Sequence, residues 1–303
     1  MNHLPFTLVA YLFNALSVLT NKFLLNKTIP DPLIYVFYIS LVSFLAVLAL
    51  PFTHIPTTAV FNLASLSTLL WTLGTYFMFK ALKIGQVSRV IPVIGTAIPI
   101  ILLIFASGTN VISVMEAQAV AILTLGMVAL TITNWRGKLS KWEIIFEVLA
   151  AASFAFSYII LRQAYLQLDF FSVLVWSRII LLPFCIIILI IPTLRRKIIA
   201  STSSMSSRRK PGSIKTGLVF LGGQISGVIS ELLILFSISL ANPALVNSLQ
   251  GTQYVFLLVF ALVLGKKYPQ IFEEKYTLLT LFPKIIGIAL IGLGLYLLSF
   301  ANS

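Results

Sequence analysis

Residues 79–95 read FKALKIGQVSRVIPVIG and set Lys80, Lys83 and Arg89 between two strongly apolar segments, with Pro92 and Gly95 early in the second. On a soluble domain such a cluster marks an anion or nucleic-acid surface. Between apolar blocks it marks a turn at one face of a membrane. Of the 303 residues, 59% are hydrophobic and 10% are charged, and the mean hydropathy is +1.05. Arranged in repeated long blocks, that excess favours a polytopic membrane protein. The net charge of +13 then has no continuous soluble surface to occupy. No zinc-finger spacing or basic zipper accompanies it, so no nucleic acid is expected as a partner.

Apolar blocks fall at about 5–26, 32–52, 60–82, 87–107, 113–133, 143–163, 171–191, 215–240, 243–264 and 281–301. Helices satisfy their own backbone groups in hydrocarbon and open sheets do not. The sequence therefore predicts an all-α polytopic membrane protein with ten transmembrane helices. Five blocks lie within 1–134, the stretch 135–142 connects, and five more lie within 143–303. One register aligns Asn21 and Lys22 with Leu161 and Arg162, and Tyr38 with Arg178. A second aligns KALKIGQVSRV with SISLANPALVNS, the shift being absorbed by the long connection before block eight. Two five-helix repeats are the expectation, inverted because each crosses the membrane an odd number of times.

Lysine and arginine collect in the connections after odd-numbered blocks, among them Lys22, Lys27, Lys83, Arg136, Arg195, Arg208, Lys266 and Lys275. Retention of basic loops in the cytoplasm puts these connections inside and both termini outside, in a multi-pass cell-membrane protein. The connection IPTLRRKIIASTSSMSSRRKPGSIK is the most basic. Its serines and Pro-Gly favour a flexible segment attracted to anionic membrane lipids.

Thr68, Thr72, Tyr76 and Lys80 recur every four residues and share one helix face. Asn14, Ser17 and Asn21 make a second polar face in block one, and Asn247, Gln250 and Tyr254 a third in block nine. Such faces either line a passage or bond a neighbouring helix; Lys80 either reaches an anionic solute or snorkels to water. Glu231 stands deep in block eight, where an isolated carboxylate must face the bundle interior, pair with a cation, or stay protonated. Arg178 is its candidate partner, and a raised Glu231 pKa would suit proton coupling. Gln224 lies seven residues earlier, beside Gly222, Gly223 and Gly227, which suit close helix packing. Pro92 and Pro99 bend or open block four. Trp71, Tyr158 and Trp176 suit an aromatic wall or interfacial anchoring. The single cysteine, Cys185, reads as a packing residue. His3 and His54 read as interfacial or solvent-exposed, and no metal site, cofactor or catalytic constellation is expected.

Three segments then carry a likeness: LFNALSVLTNKFLL, YFMFKALKIGQVSRVIPVIGTAIPILLIFA and LFSISLANPALVNSLQGTQYVFLLVFALVLGKK. With two five-helix halves, the chain resembles the EamA-like branch of the drug/metabolite transporter superfamily over almost its full length. That resemblance implies a secondary transporter moving a small metabolite through a central cavity by alternating access, with export favoured over uptake. It makes Tyr76, Lys80, Asn247, Gln250 and Tyr254 positional candidates for substrate contact. Glu231, Arg178, Asn14 and Gln224 come from the polarity pattern alone. Where the family ends its ninth helix with acidic residues, this chain has Gly265, Lys266 and Lys267, and its charge bias opposes the family's cytoplasmic termini. A membrane scaffold is the alternative of a different class.

Overall fold

The computed structural model describes residues 3–25, 32–85, 87–108, 113–132, 140–207, 214–264 and 278–301. Regular structure among them is helical: α1 (Leu4–Leu25), α2 (Pro32–Phe44), a 3-10 segment (Leu45–Phe52), α3 (Thr58–Ile84), α4 (Val87–Gly108), α5 (Val114–Thr131), α6 (Lys141–Tyr165), α7 (Phe170–Ser177), α8 (Leu181–Ile190), α9 (Pro192–Ser207), α10 (Ile214–Leu240), α11 (Pro243–Ser248), α12 (Gly251–Leu264) and α13 (Leu278–Ala301).

Local chemistry sets the helix ends. The Ser113 hydroxyl accepts from the Glu116 N–H at 3.2 Å while the Ser113 N–H donates to Glu116 Oε2 at 2.7 Å, a reciprocal cap that starts α5. Asp169 caps α7 by accepting from the Ser172 N–H, and Asn242 caps α11 by accepting from the Ala244 N–H. The seventh apolar block is interrupted at residues 178–180, because Pro183 has no N–H to return to the Ile179 carbonyl. That carbonyl takes the Leu182 N–H at 3.1 Å instead. The ninth block breaks at residues 249–250, where the Gln250 N–H turns back to the Asn247 carbonyl at 3.1 Å.

The chain forms two compact units. The first comprises Met1–Lys27, Gly85–Ser140 and Gly217–Ser303. Its closest helix pair is α5 with α13, which meet through glycine. A Cβ on Gly287 would stand 2.8 Å from the Gly126 carbonyl oxygen, and one on Gly294 would stand 2.5 Å from Leu123 Cγ. Removing these side chains lets the two backbones touch, as membrane helices do where little else drives them together. The second unit comprises Thr28–Ile84 and Lys141–Thr216. Here α3 packs on α6: the Ser157 hydroxyl donates to the Ser67 carbonyl at 2.8 Å, the ring of Phe154 lies over Gly74, and Phe77 stacks on Phe146. A smaller cluster joins Ile34, Phe37, Cys185, Ile188 and Ile198 from α2, α8 and α9.

Ten membrane crossings in two inverted five-helix repeats is an expectation the structure corrects. Among the described residues, four helical spans are long and apolar enough to cross a membrane: Pro32–Phe52, Val114–Thr131, Lys141–Tyr165 and Phe170–Ile190. Leu4–Leu19, Val90–Phe105, Ile225–Leu240 and Phe282–Leu298 are apolar but shorter. Hydroxyl side chains at Ser65, Ser67, Thr68, Thr72 and Thr75 dilute α3, and the break before Gly251 leaves α12 with 14 residues. Nor do the sequential halves pack as separate bundles, since α3 packs on α6 and α5 on α13. The four spans associate the chain with a membrane.

Two local expectations also change. The basic connection after block seven begins as a helix, α9, because Leu194 and Ile198 fall one turn apart and pack into the cluster on α2 and α8. His3 is buried rather than interfacial, 3% exposed. Its carbonyl accepts both the N–H and the hydroxyl of Thr7. Burial holds its imidazole below the ordinary histidine range, against the charge of Glu116. His54 lies at the surface, where its Nδ1 is 3.0 Å from Asp169 Oδ1.

Candidate functional site

The polar core of the first unit gathers four of the sequence candidates. On α1, Asn14 Nδ2 donates to Gln253 Oε1 at 3.1 Å, and one turn earlier the Tyr11 hydroxyl donates to the Val246 carbonyl at 3.2 Å. That carbonyl is open to Tyr11 because of the break in the ninth block: the Gln250 N–H, its helical partner four residues on, has turned to Asn247. Glu231, half-buried on α10, acts electrostatically on Tyr11, as does Tyr254. From α12, the Gln250 amide and the Tyr254 hydroxyl converge over Gly95 on α4. A Cβ at Gly95 would lie 2.7 Å from Gln250 Nε2 and 3.0 Å from the Tyr254 oxygen. The Tyr254 hydroxyl is buried and finds no hydrogen-bond partner among the described residues. An unsatisfied buried hydroxyl is costly, so a group that supplies the missing bond is favoured there.

The same helices explain this convergence. Ser17 lies under Gly227, where a Cβ would stand 2.9 Å from its hydroxyl, so the small residues of α10 admit α1 closely. On α4 the Thr96 hydroxyl bonds back to the Pro92 carbonyl at 2.9 Å. The helix runs through Pro92 and Pro99 and sets Gly95 against α12.

In the second unit, Thr72 and Tyr76 share a face of α3 and line an apolar cavity of about 340 Å³ with Leu33, Val36, Leu69, Leu73 and Phe184. Lys80 Nζ sits over the Tyr76 ring, 5.5 Å from its centroid. Arg178 caps the C-terminus of α7 in this unit, whereas Glu231 belongs to the first. Trp176 Nε1 donates to the Thr53 hydroxyl at 3.1 Å and meets Phe61 edge-on, while Trp71 meets Phe154. Asn247 is buried, with its amide donating to the Pro243 carbonyl of its own helix at 2.9 Å. The Gln224 side chain lies outside the described residues, as do the Arg89 side chain, Gly265, Lys266 and Lys267.

Sequence reasoning missed Tyr11 and Gln253. Tyr11 extends the Asn14–Ser17 stripe by one turn, which was a readable signal. Glu231 is not alone as a deep acid: Glu143 and Glu147 on α6 are 1% and 2% exposed. Their spacing of four residues continues the buried stripe through Ala150, Ala151 and Phe154. Among the described residues no group of three or more histidine, cysteine, aspartate or glutamate side chains is gathered for a metal.

No family model matches the chain, and no curated protein matches it. A solved structure described only as "Crystal structure of protein" is similar in fold, with a TM-score of 0.63 at 13% identity, covering 98% of this chain and 96% of that one. The likeness reaches the fold and stops there. The resemblance to the EamA-like family is thereby corrected: its quoted segments are runs of small residues, prolines and helix turns that serve helix packing in general. The described residues do not form the ten-helix inverted repeat, so alternating-access transport of a metabolite loses its structural basis.

Proposed function

We propose that the protein is a multi-pass membrane protein that binds a small molecule, without covalent chemistry, in the polar core of its first unit. The observation that carries this reading is the buried Tyr254 hydroxyl, unbonded beside the Gln250 amide and held over Gly95. Gln250 offers both a donor and an acceptor, Tyr254 a donor and an acceptor, and the Glu231 carboxylate favours a ligand rich in donors.

Purified protein in lipid nanodiscs, screened for thermal stabilisation by small polar metabolites and then titrated with each hit, tests the reading. Tyr254→Phe and Gln250→Ala should each weaken a hit's binding by about tenfold or more, the worth of a buried hydrogen bond. Hits whose affinity survives both substitutions would sink it.

A further inference from the structure

The second unit carries a feature that owes nothing to the polar core of the first. Its cavity is walled by four aliphatic side chains from α2 and α3, the Phe184 ring of α8, the Thr72 side chain and one face of Tyr76. The Thr72 hydroxyl donates to the Thr68 carbonyl at 2.7 Å, so its polar atom is already satisfied and its methyl is what remains for an occupant. A solute with many polar groups has nothing to bond in such a space. An alkyl chain replaces its hydration with dispersion contacts.

Charge decides the other end of the occupant. Lys80 follows Tyr76 by one helical turn and holds its ammonium over that ring, 5.5 Å from the centroid, the ring being one of those that line the cavity. Among the described residues no carboxylate lies within ion-pair distance of it. A cation one helical turn beyond the Tyr76 that lines an apolar slot complements an anionic head group on an alkyl tail. At roughly 30 Å³ per water-sized group, the volume accommodates on the order of ten methylene-sized groups, the size of one chain rather than two. We infer that this cavity binds a single-chain anionic amphiphile, a medium-chain fatty acid, with its tail between α2, α3 and α8 and its carboxylate on Lys80.

The test is equilibrium binding of radiolabelled dodecanoate to the full chain in phosphatidylcholine nanodiscs, with protein-free nanodiscs measuring partition into lipid. Saturable binding above that background is expected, displaced by unlabelled dodecanoate at least about tenfold more effectively than by dodecanol. Lys80→Gln should remove that preference, leaving dodecanol displacement unchanged, and Lys80→Arg should restore most of it. Val36→Phe, which fills the slot, should weaken both. Circular dichroism and elution volume identify any variant that misfolds, in which case Leu69→Phe replaces Val36→Phe. Binding that never exceeds the lipid background, that persists in Lys80→Gln and a cavity-filling variant, or that treats dodecanol and dodecanoate alike, overturns the proposal.

Discussion

Gly95 lies directly beneath Gln250, so that a single methyl group on Gly95 would come within 2.7 Å of the Gln250 amide nitrogen. The obstructed atoms are the far ends of two side chains, Gln250 and Tyr254, which can swing aside. Gly95→Ala should therefore cost about 1 kcal/mol of stability, the low end of the range for overpacking, while displacing the groups that form the candidate site. Unfolding in detergent, paired with binding of any hit from the metabolite screen, checks both halves of that statement.

Gly287 sets the contrast. Its added Cβ would meet the Gly126 carbonyl at 2.8 Å and the Leu130 nitrogen at 2.9 Å, both backbone atoms that cannot rotate away. Gly287→Ala should cost about 3 kcal/mol or more by forcing α13 from α5. A destabilisation no larger than that of Gly95→Ala would show that these helices separate easily.

Removing the Tyr254 hydroxyl separates stability from binding. The group is buried without a bond in the protein alone, so Tyr254→Phe should leave the unliganded protein equally stable or stabilise it by about 1 kcal/mol. Ligand affinity should fall nonetheless. A clear loss of stability without ligand would mean that the hydroxyl is satisfied inside the fold.

The Ser157 hydroxyl donates to the Ser67 carbonyl at 2.8 Å and meets the Ser67 hydroxyl at 3.1 Å across α3 and α6. Ser157→Ala should destabilise the second unit by about 1 kcal/mol. A double substitution with Ser67→Ala should cost less than the sum of the two singles, since the pair shares one interaction.

Asp169 provides a pH signature. Burial pushes its carboxyl up, but the Ser172 N–H and His54 outweigh burial and hold it below the usual aspartate range. A carboxylate with a depressed folded pKa contributes stability that is complete above its unfolded value of about 3.9 and is lost as pH falls through the folded value. Thermal melts from pH 7 downward should show that limb, and Asp169→Asn should abolish it and be less stable at neutral pH.

Much of the helix placement was legible because hydrocarbon and buried protein interiors demand the same apolar runs. Block eight, read at 215–240, is α10 within a residue. Periodicity alone was poorer at finding the interruptions. Pro183 breaks its block, yet Pro92 and Pro99 ride inside α4, so proline alone does not locate a break. Part of the polar core was also readable: Asn14, Gln250 and Tyr254 followed from polarity on apolar faces. The turn at residues 249–250, which shifts the helical phase between Asn247 and Gln250, leaves no trace in the spacing.

By itself the sequence determined that this is a helical, membrane-associated chain with basic connections, since long apolar runs have no other stable arrangement in lipid. Tertiary structure decided which helices meet: residues 79–95 carry the chain from the second unit into the first. Partner choice rests on glycine contacts, hydroxyl bonds and ring stacking between distant segments. Hydropathy is blind to these, because the long helices here are apolar enough to pack on one another.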